Sequence, residues 1–149
     1  MAGLMGSFVT AEVALSAGVA KSVAKVVAPA NHRLIIKSIA LYFDGTSVSA
    51  EPALIEWGFL STAGTFTSLT PAKMVSGDPE TLQATGGHTA TAEPTYSSVI
   101  SRKECHTQAG HMEFFPAGQE PVLAGGASLG VRVTSPGAVN VAATIVYEE

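Results

Sequence analysis

Ser128-Leu129-Gly130-Val131-Arg132-Val133-Thr134 is followed by Ser135-Pro136-Gly137-Ala138 and then by Val139-Asn140-Val141-Ala142-Ala143-Thr144-Ile145-Val146-Tyr147. In the first run Leu129, Val131 and Val133 share one parity, opposite Gly130, Arg132 and Thr134. In the second, Val141, Ala143, Ile145 and Tyr147 share one parity, opposite Asn140 and Thr144. A period of two belongs to a strand with one buried face. Pro136-Gly137 supplies turn chemistry between the runs. The pair therefore predicts a β-hairpin that ends at Glu148-Glu149.

The same period recurs towards the N-terminus. Arg33 to Phe43 carries Leu34, Ile35, Ile36, Ile39, Leu41, Tyr42 and Phe43, apolar on both parities, which predicts a strand covered on both faces. Asp44-Gly45 then favours a turn. In Pro52 to Leu60, Ile55, Trp57 and Phe59 oppose Glu56 and Gly58. Ala63-Gly64 turns the chain into Thr65 to Leu69. Phe8 to Leu15, Lys21 to Val27, Tyr96 to Ile100, His111 to Phe115 and Pro121 to Ala124 read as further strands. Gly18 and the valine pairs Val19/Val23 and Val26/Val27 oppose a helix over residues 11–28. Pro71 to Pro94 lacks a period: Ser76-Gly77-Asp78-Pro79 is turn chemistry, and Gly86-Gly87-His88 reads as a breaker in a long loop or edge segment. Eight to ten short strands without a clear long helix specify an all-β fold. The expectation is a single antiparallel jelly-roll or β-sandwich domain with an extended N-terminal segment. Residues 1–30 are the N-terminal arm or first strands, and residues 31–149 the jelly-roll body.

Charge is scarce. The 149 residues include 8 Lys+Arg and 12 Asp+Glu, or 13% charged, against 46% apolar and a net charge of −4. A soluble domain ordinarily carries about 25% charged residues. Spread over a surface of roughly 7,000 Å², twenty charges leave roughly one per 350 Å². Part of this surface is therefore expected to pack against copies of the chain or a larger body. The charges also avoid the closing strands, where Arg132 alone lies between Glu120 and Glu148. No basic run exists, so no direct nucleic-acid partner is expected. No apolar run reaches the roughly 18 residues of a membrane span, so no membrane partner is expected either. Cys105 is alone, which excludes an intrachain disulfide.

The chemistry-bearing residues do not assemble into a motif. Arg102-Lys103-Glu104-Cys105-His106, with His111 and His88, is the sharpest polar cluster. It lacks the C-x-x-C or helical His spacing of a zinc site, and Cys105 and His106 would point to opposite faces of a strand. It reads as a solvated or interface-facing loop. The strands lack the converging His and carboxylate residues of a cupin-like enzyme. No G-x-S-x-G and no phosphate loop is present. The expectation is no enzyme, no catalytic residue, no metal and no cofactor. Trp57 or Tyr96 could serve a lectin-like trimeric jelly roll as a stacking platform. Glu148-Glu149 reads as a solvated tail. In Phe114-Phe115 adjacent strand residues face opposite ways, so one ring is available as a contact anchor.

Four features occur in order: Pro29-Ala30-Asn31-His32-Arg33 before the strand that Asp44-Gly45 ends; Ala53-Leu54-Ile55-Glu56-Trp57-Gly58-Phe59; Ala92-Glu93-Pro94-Thr95 after a Thr/Ala/Gly-rich excursion; and the closing pair of strands ending at Glu148-Glu149. Over residues 30–149 this resembles small jelly-roll capsid cement, or head decoration, proteins of tailed bacteriophages. The resemblance implies a structural virion protein on the outer capsid surface, made in the bacterial host cytoplasm. Such proteins bind the major capsid protein, often as homotrimers, and carry no catalytic residues. A terminal arm laid over neighbours is also implied, and Leu4, Met5 and Phe8 are the candidate contacts there, beside Phe114 and Phe115. A phage tail, baseplate or head-fibre jelly roll is the neighbouring alternative.

Overall fold

The computed structural model describes residues 3–44 and 51–149. Gly45, expected to turn the chain after Asp44, lies outside the described residues. Those residues form thirteen strands and no helix. The first six are β1 (Met5–Val9), β2 (Val13–Leu15), β3 (Ala20–Val27), β4 (Leu34–Asp44), β5 (Ala53–Thr62) and β6 (Thr65–Leu69). There follow β7 (Ala72–Lys73), β8 (Thr85–Ala92), β9 (Thr95–Cys105), β10 (His111–Phe114), β11 (Val122–Leu123), β12 (Ser128–Thr134) and β13 (Val139–Glu148).

They build two antiparallel sheets packed face to face, a β-sandwich. The first sheet runs β10-β4-β13-β1-β7, with β11 also on β4 and β2 also on β13. The second runs β6-β8-β3-β12-β5-β9. The chain changes sheet at most of its connections, as in a jelly roll. Between the sheets, Leu34, Ile36, Ile39 and Leu41 of β4 and Val141, Ala143, Ile145 and Tyr147 of β13 meet Val23 and Val26 of β3, Leu129, Val131 and Val133 of β12, and Ile55 and Trp57 of β5. Each fully buried aliphatic side chain contributes about 1.5–3 kcal/mol. Tyr147 stacks on Phe8, ring centroids 5.2 Å apart.

The closing pair is not a hairpin. β12 hydrogen-bonds to β3 and β5 in one sheet, while β13 hydrogen-bonds to β4, β1 and β2 in the other. Residues 135–138 carry the chain across the sandwich. Alternation reports that a strand has one buried face; it does not report which strand lies beside it. Val131 and Val139 point into the same core from opposite sheets, a pattern a hairpin would share.

The polar stretch read as a long loop or edge segment contains β8, an eight-residue strand between β6 and β3 and so not at the sheet edge. Gly86 and Gly87 are spacers within it. A Cβ on Gly86 would lie 2.6 Å from the Phe8 ring, and one on Gly87 2.5 Å from Phe66 Cβ. The residues Arg102 to Cys105, read as a loop, continue β9, which runs the length of β5. Residues 5–9 do not form a free arm: β1 pairs with β13 from Met5↔Glu148 to Val9↔Thr144, and β7 lies on its other side.

Candidate functional site

The outward side chains of the first sheet form rows across neighbouring strands. One row is Val9, Thr144, Ala40 and Met112, from β1 through β13 and β4 to β10. The next is Ala72, Ser7, Val146, Ser38 and Phe114. Ala142 and Tyr42 start a third. None of these residues is charged. Phe114 is 71% exposed, and Val9, Tyr42 and Met112 are each about half exposed. Size varies in order across the face. In the first two rows the central strands β4 and β13 present Ser38, Ala40, Thr144 and Val146, and β10 at the edge presents Met112 and Phe114; in the third, Tyr42 of β4 stands beside Ala142. Small side chains thus lie between Tyr42 and the apolar edge of β10. The expectation that β4 is covered on both faces is met along part of the strand: the outward Ser38 and Ala40 are 8% and 4% exposed, whereas Tyr42 is about half exposed.

Sheet position separates the two adjacent phenylalanines. Phe114, opposite Ser38, points outward. Phe115 turns inward and meets the Trp57 ring edge-on, with centroids 5.3 Å apart. The Trp57 indole donates to Glu113 Oε2 at 3.1 Å, so Trp57 closes the core edge and offers no open ring face. Of the N-terminal candidates, Leu4 and Met5 are half-buried, and Phe8 is only 1% exposed. Phe8 is a core residue, because the alternation of β1 sends it inward beside Tyr147; it is not a contact on the surface.

The outer face of the second sheet is built differently. Glu56 of β5, 3% exposed, accepts hydrogen bonds from Arg102 of β9 and Arg132 of β12, its register neighbours on either side. Burial works to raise its carboxyl pKa, but the two guanidinium groups outweigh burial and hold it below the usual carboxylate range. Arg132 also lies over the Tyr96 ring, 4.7 Å from its centroid. Tyr96 crosses the sheet where Gly130 leaves room; a Cβ there would lie 2.8 Å from the Tyr96 hydroxyl. Burial first of all pushes the Tyr96 phenol up to about 12. The hydroxyl sits 3.2 Å from Ser22 Oγ, and the Ser22 amide donates to the Glu93 carboxylate. The second suggested stacking platform is thus occupied by the chain's own arginine.

The terminal carboxylates are structural rather than a solvated tail. Glu149 accepts from the amides of Gln83 at 2.6 Å and Ala84 at 2.9 Å. Glu148 accepts from the Gly3 amide and pairs with Lys37 at 2.7 Å, and Lys37 reaches Glu120 at 3.2 Å. The Lys37 hydrogen bond is the main cause that holds Glu148 below its ordinary pKa. Leu4, His32, Arg33, Glu80 and Gln83 border an open cleft of about 360 Å³ beside Glu149. This clasp was not legible, because nothing in Glu148-Glu149 names the amides that it binds.

The histidine and cysteine candidates do not converge. Cys105 is half-buried at the end of β9, and burial pushes its thiol pKa up, which opposes nucleophilic use. His106 lies in the turn after it, where its carbonyl accepts from the Ala109 amide. His111 lies on β10 in the other sheet, 3.7 Å from Glu113. His88, on β8, bonds the Thr89 hydroxyl. Among the described residues no group of three or more His, Cys, Asp or Glu side chains could hold a metal ion. No helix among them is long and apolar enough to cross a membrane. Comparison of the chain with protein-family models, with curated proteins and with solved structures finds no match.

Proposed function

We propose that this chain is a structural virion protein, a capsid cement protein that binds the outer surface of a tailed-phage head. It ties neighbouring major capsid proteins together and works without a catalytic residue or cofactor. The protein is made in the host cytoplasm and ends on the capsid exterior as a self-associated unit, threefold in the arrangement that the resemblance implies. The observation that carries this reading is the uncharged, partly exposed pair of rows on the outer face of the first sheet, edged by the exposed Met112 and Phe114. A cement protein needs such a surface, because its work is to bury area against other proteins. On the opposite face Glu56, Arg102 and Arg132 are paired within the chain.

Sedimentation with DNA-free shells of the major capsid protein from the same genome tests the reading. The expected result is co-sedimentation that saturates at a fixed number of copies per shell, with the loaded shells melting at a higher temperature than bare ones. Protein that stays in the supernatant at every shell concentration overturns it.

A further inference from the structure

We propose that Glu113 is a positioning residue for docking: its carboxylate, bound to the Trp57 indole of the other sheet, latches β10 where Met112 and Phe114 face outward. The docking role rests on the shell reading; the latch is a property of the chain alone.

Three observations carry it. The first is how little else holds β10. It is a four-residue edge strand that pairs with β4 alone, from His111↔Leu41 to Phe114↔Ser38. A short edge with one hydrogen-bonded neighbour lies at the low end of local stability. The second is convergence on one indole. Alternation sends His111 and Glu113 inward, with Phe115 after them, and Met112 and Phe114 outward. Glu113 Oε2 accepts from Trp57 Nε1 at 3.1 Å, and Phe115 meets the same ring edge-on. Trp57 belongs to β5, so this hydrogen bond ties the edge of the first sheet to the second.

The third is that the tie has no substitute beside it. His111 Nε2 is buried 3.7 Å from the same carboxylate oxygen and makes no hydrogen bond of its own. An indole has one donor and no acceptor. Removing the Glu113 carboxylate therefore strands a donor on a side chain that is only 4% exposed, and a stranded buried donor is strongly unfavourable. Relief comes from movement of the weakly held edge. Phe114 on the reverse of that strand then loses its fixed direction, and a docking anchor that must be ordered on binding binds less tightly.

Amide hydrogen exchange of residues 111–115, together with sedimentation of the full chain with the shells described above, tests the inference. Glu113→Ala is expected to exchange these amides roughly tenfold faster and to bind shells roughly tenfold more weakly, with an unchanged β circular-dichroism spectrum. Glu113→Gln keeps an oxygen that accepts from the indole and is expected to restore most of both values. Trp57→Phe keeps a ring against Phe115 but removes the donor, and is expected to match Glu113→Ala. Phe114→Ala removes the contact and not the latch, so shell binding falls while exchange stays as in the wild type. Because Trp57 is the one tryptophan in the sequence, a shift in emission on Glu113→Ala reports the loosened latch directly. Wild-type exchange in Glu113→Ala and Trp57→Phe overturns the latch whatever the shells do, and a Glu113→Gln variant that behaves as Glu113→Ala overturns the hydrogen bond as its basis. Faster exchange with undiminished shell binding overturns the docking role while the shell reading stands. Wild-type protein that never sediments with shells overturns the shell reading and the docking role with it, and the exchange result still decides the latch.

Discussion

The two outer faces of the sandwich begin from one sequence pattern and end in opposite states. Both sheets alternate residue by residue, so both send half their side chains outward. On the second sheet those side chains include Glu56, Arg102, Arg132 and Tyr96, and the chain itself satisfies them, down to a buried carboxylate between two arginines. On the first sheet they include the small Ser38 and Ala40, the half-buried Thr144 and Val146, and Met112 and Phe114, which the chain leaves exposed. The difference teaches where to look for a partner. A face whose polar groups are already paired gains little from one, whereas exposed apolar rows gain with every square ångström covered.

The largest effect expected is from removing residues 1–8. An arm would be dispensable to the fold, but these residues hold Phe8 and most of β1. Loss of the Phe8 side chain alone costs about 3–5 kcal/mol, and β13 loses a hydrogen-bonded neighbour besides. Denaturant unfolding of the shortened chain is expected to show a destabilised or unfolded protein; wild-type stability would return the segment to the role of a free arm.

Next comes Glu56→Ala, which strands two arginines and is expected to cost about 3 kcal/mol in the same measurement. Its pH dependence has a definite sign. The folded pKa of Glu56 is depressed, so its stabilisation is complete above the unfolded value of about 4.3 and is lost as pH falls through the folded pKa. Glu56→Gln should therefore flatten the acid limb of a plot of urea midpoint against pH. An unaltered limb would show that the pair contributes nothing to acid stability.

The two arginines then separate. Arg132 makes two hydrogen bonds to Glu56 and stacks on Tyr96, so Arg132→Ala is expected to cost about 1–2 kcal/mol. The Arg102 side chain is more exposed than that of Arg132, and Arg102→Ala is expected to cost under about 1 kcal/mol. Thermal melts of the two variants measure the order, and a reversal would move the weight of the network to the sheet edge. The smallest effect falls on the open face. Phe114→Ser is expected to change unfolding stability by less than about 0.5 kcal/mol in dilute solution. A larger loss would mean that the apolar edge of β10 supports the fold itself and is not held for a partner.

The all-β class and most of the strands were legible because period-two alternation is a local property: Leu129/Val131/Val133 and Val141/Ala143/Ile145/Tyr147 state their buried face without reference to anything else. That one ring of Phe114-Phe115 faces outward was legible for the same reason; that it is Phe114 was decided by the structure. The errors share a cause. β8 was hidden because Gly86 and Gly87 resemble turn residues, and only the approach of Phe8 and Phe66 explains them as spacers. The charged end of β9 resembled a loop because its partner, Glu56, lies 46 residues away. Glu149 resembled a tail because the amides it binds, at positions 83 and 84, carry no side-chain signature.

By itself the sequence determined that this chain folds into alternating strands, that its closing strands are nearly free of charge, and that it carries no catalytic motif. These follow from the identity and spacing of neighbouring residues. Only the tertiary structure decided that β12 and β13 part into different sheets, that Phe8 lies in the core, and that Glu56 meets Arg102 and Arg132 on one outer face while the rows from Val9 to Met112 and from Ala72 to Phe114 on the other hold no charge. Those outcomes depend on which strands lie side by side, and pairing is set by the packing of the whole chain, since a strand's own alternation is compatible with more than one neighbour.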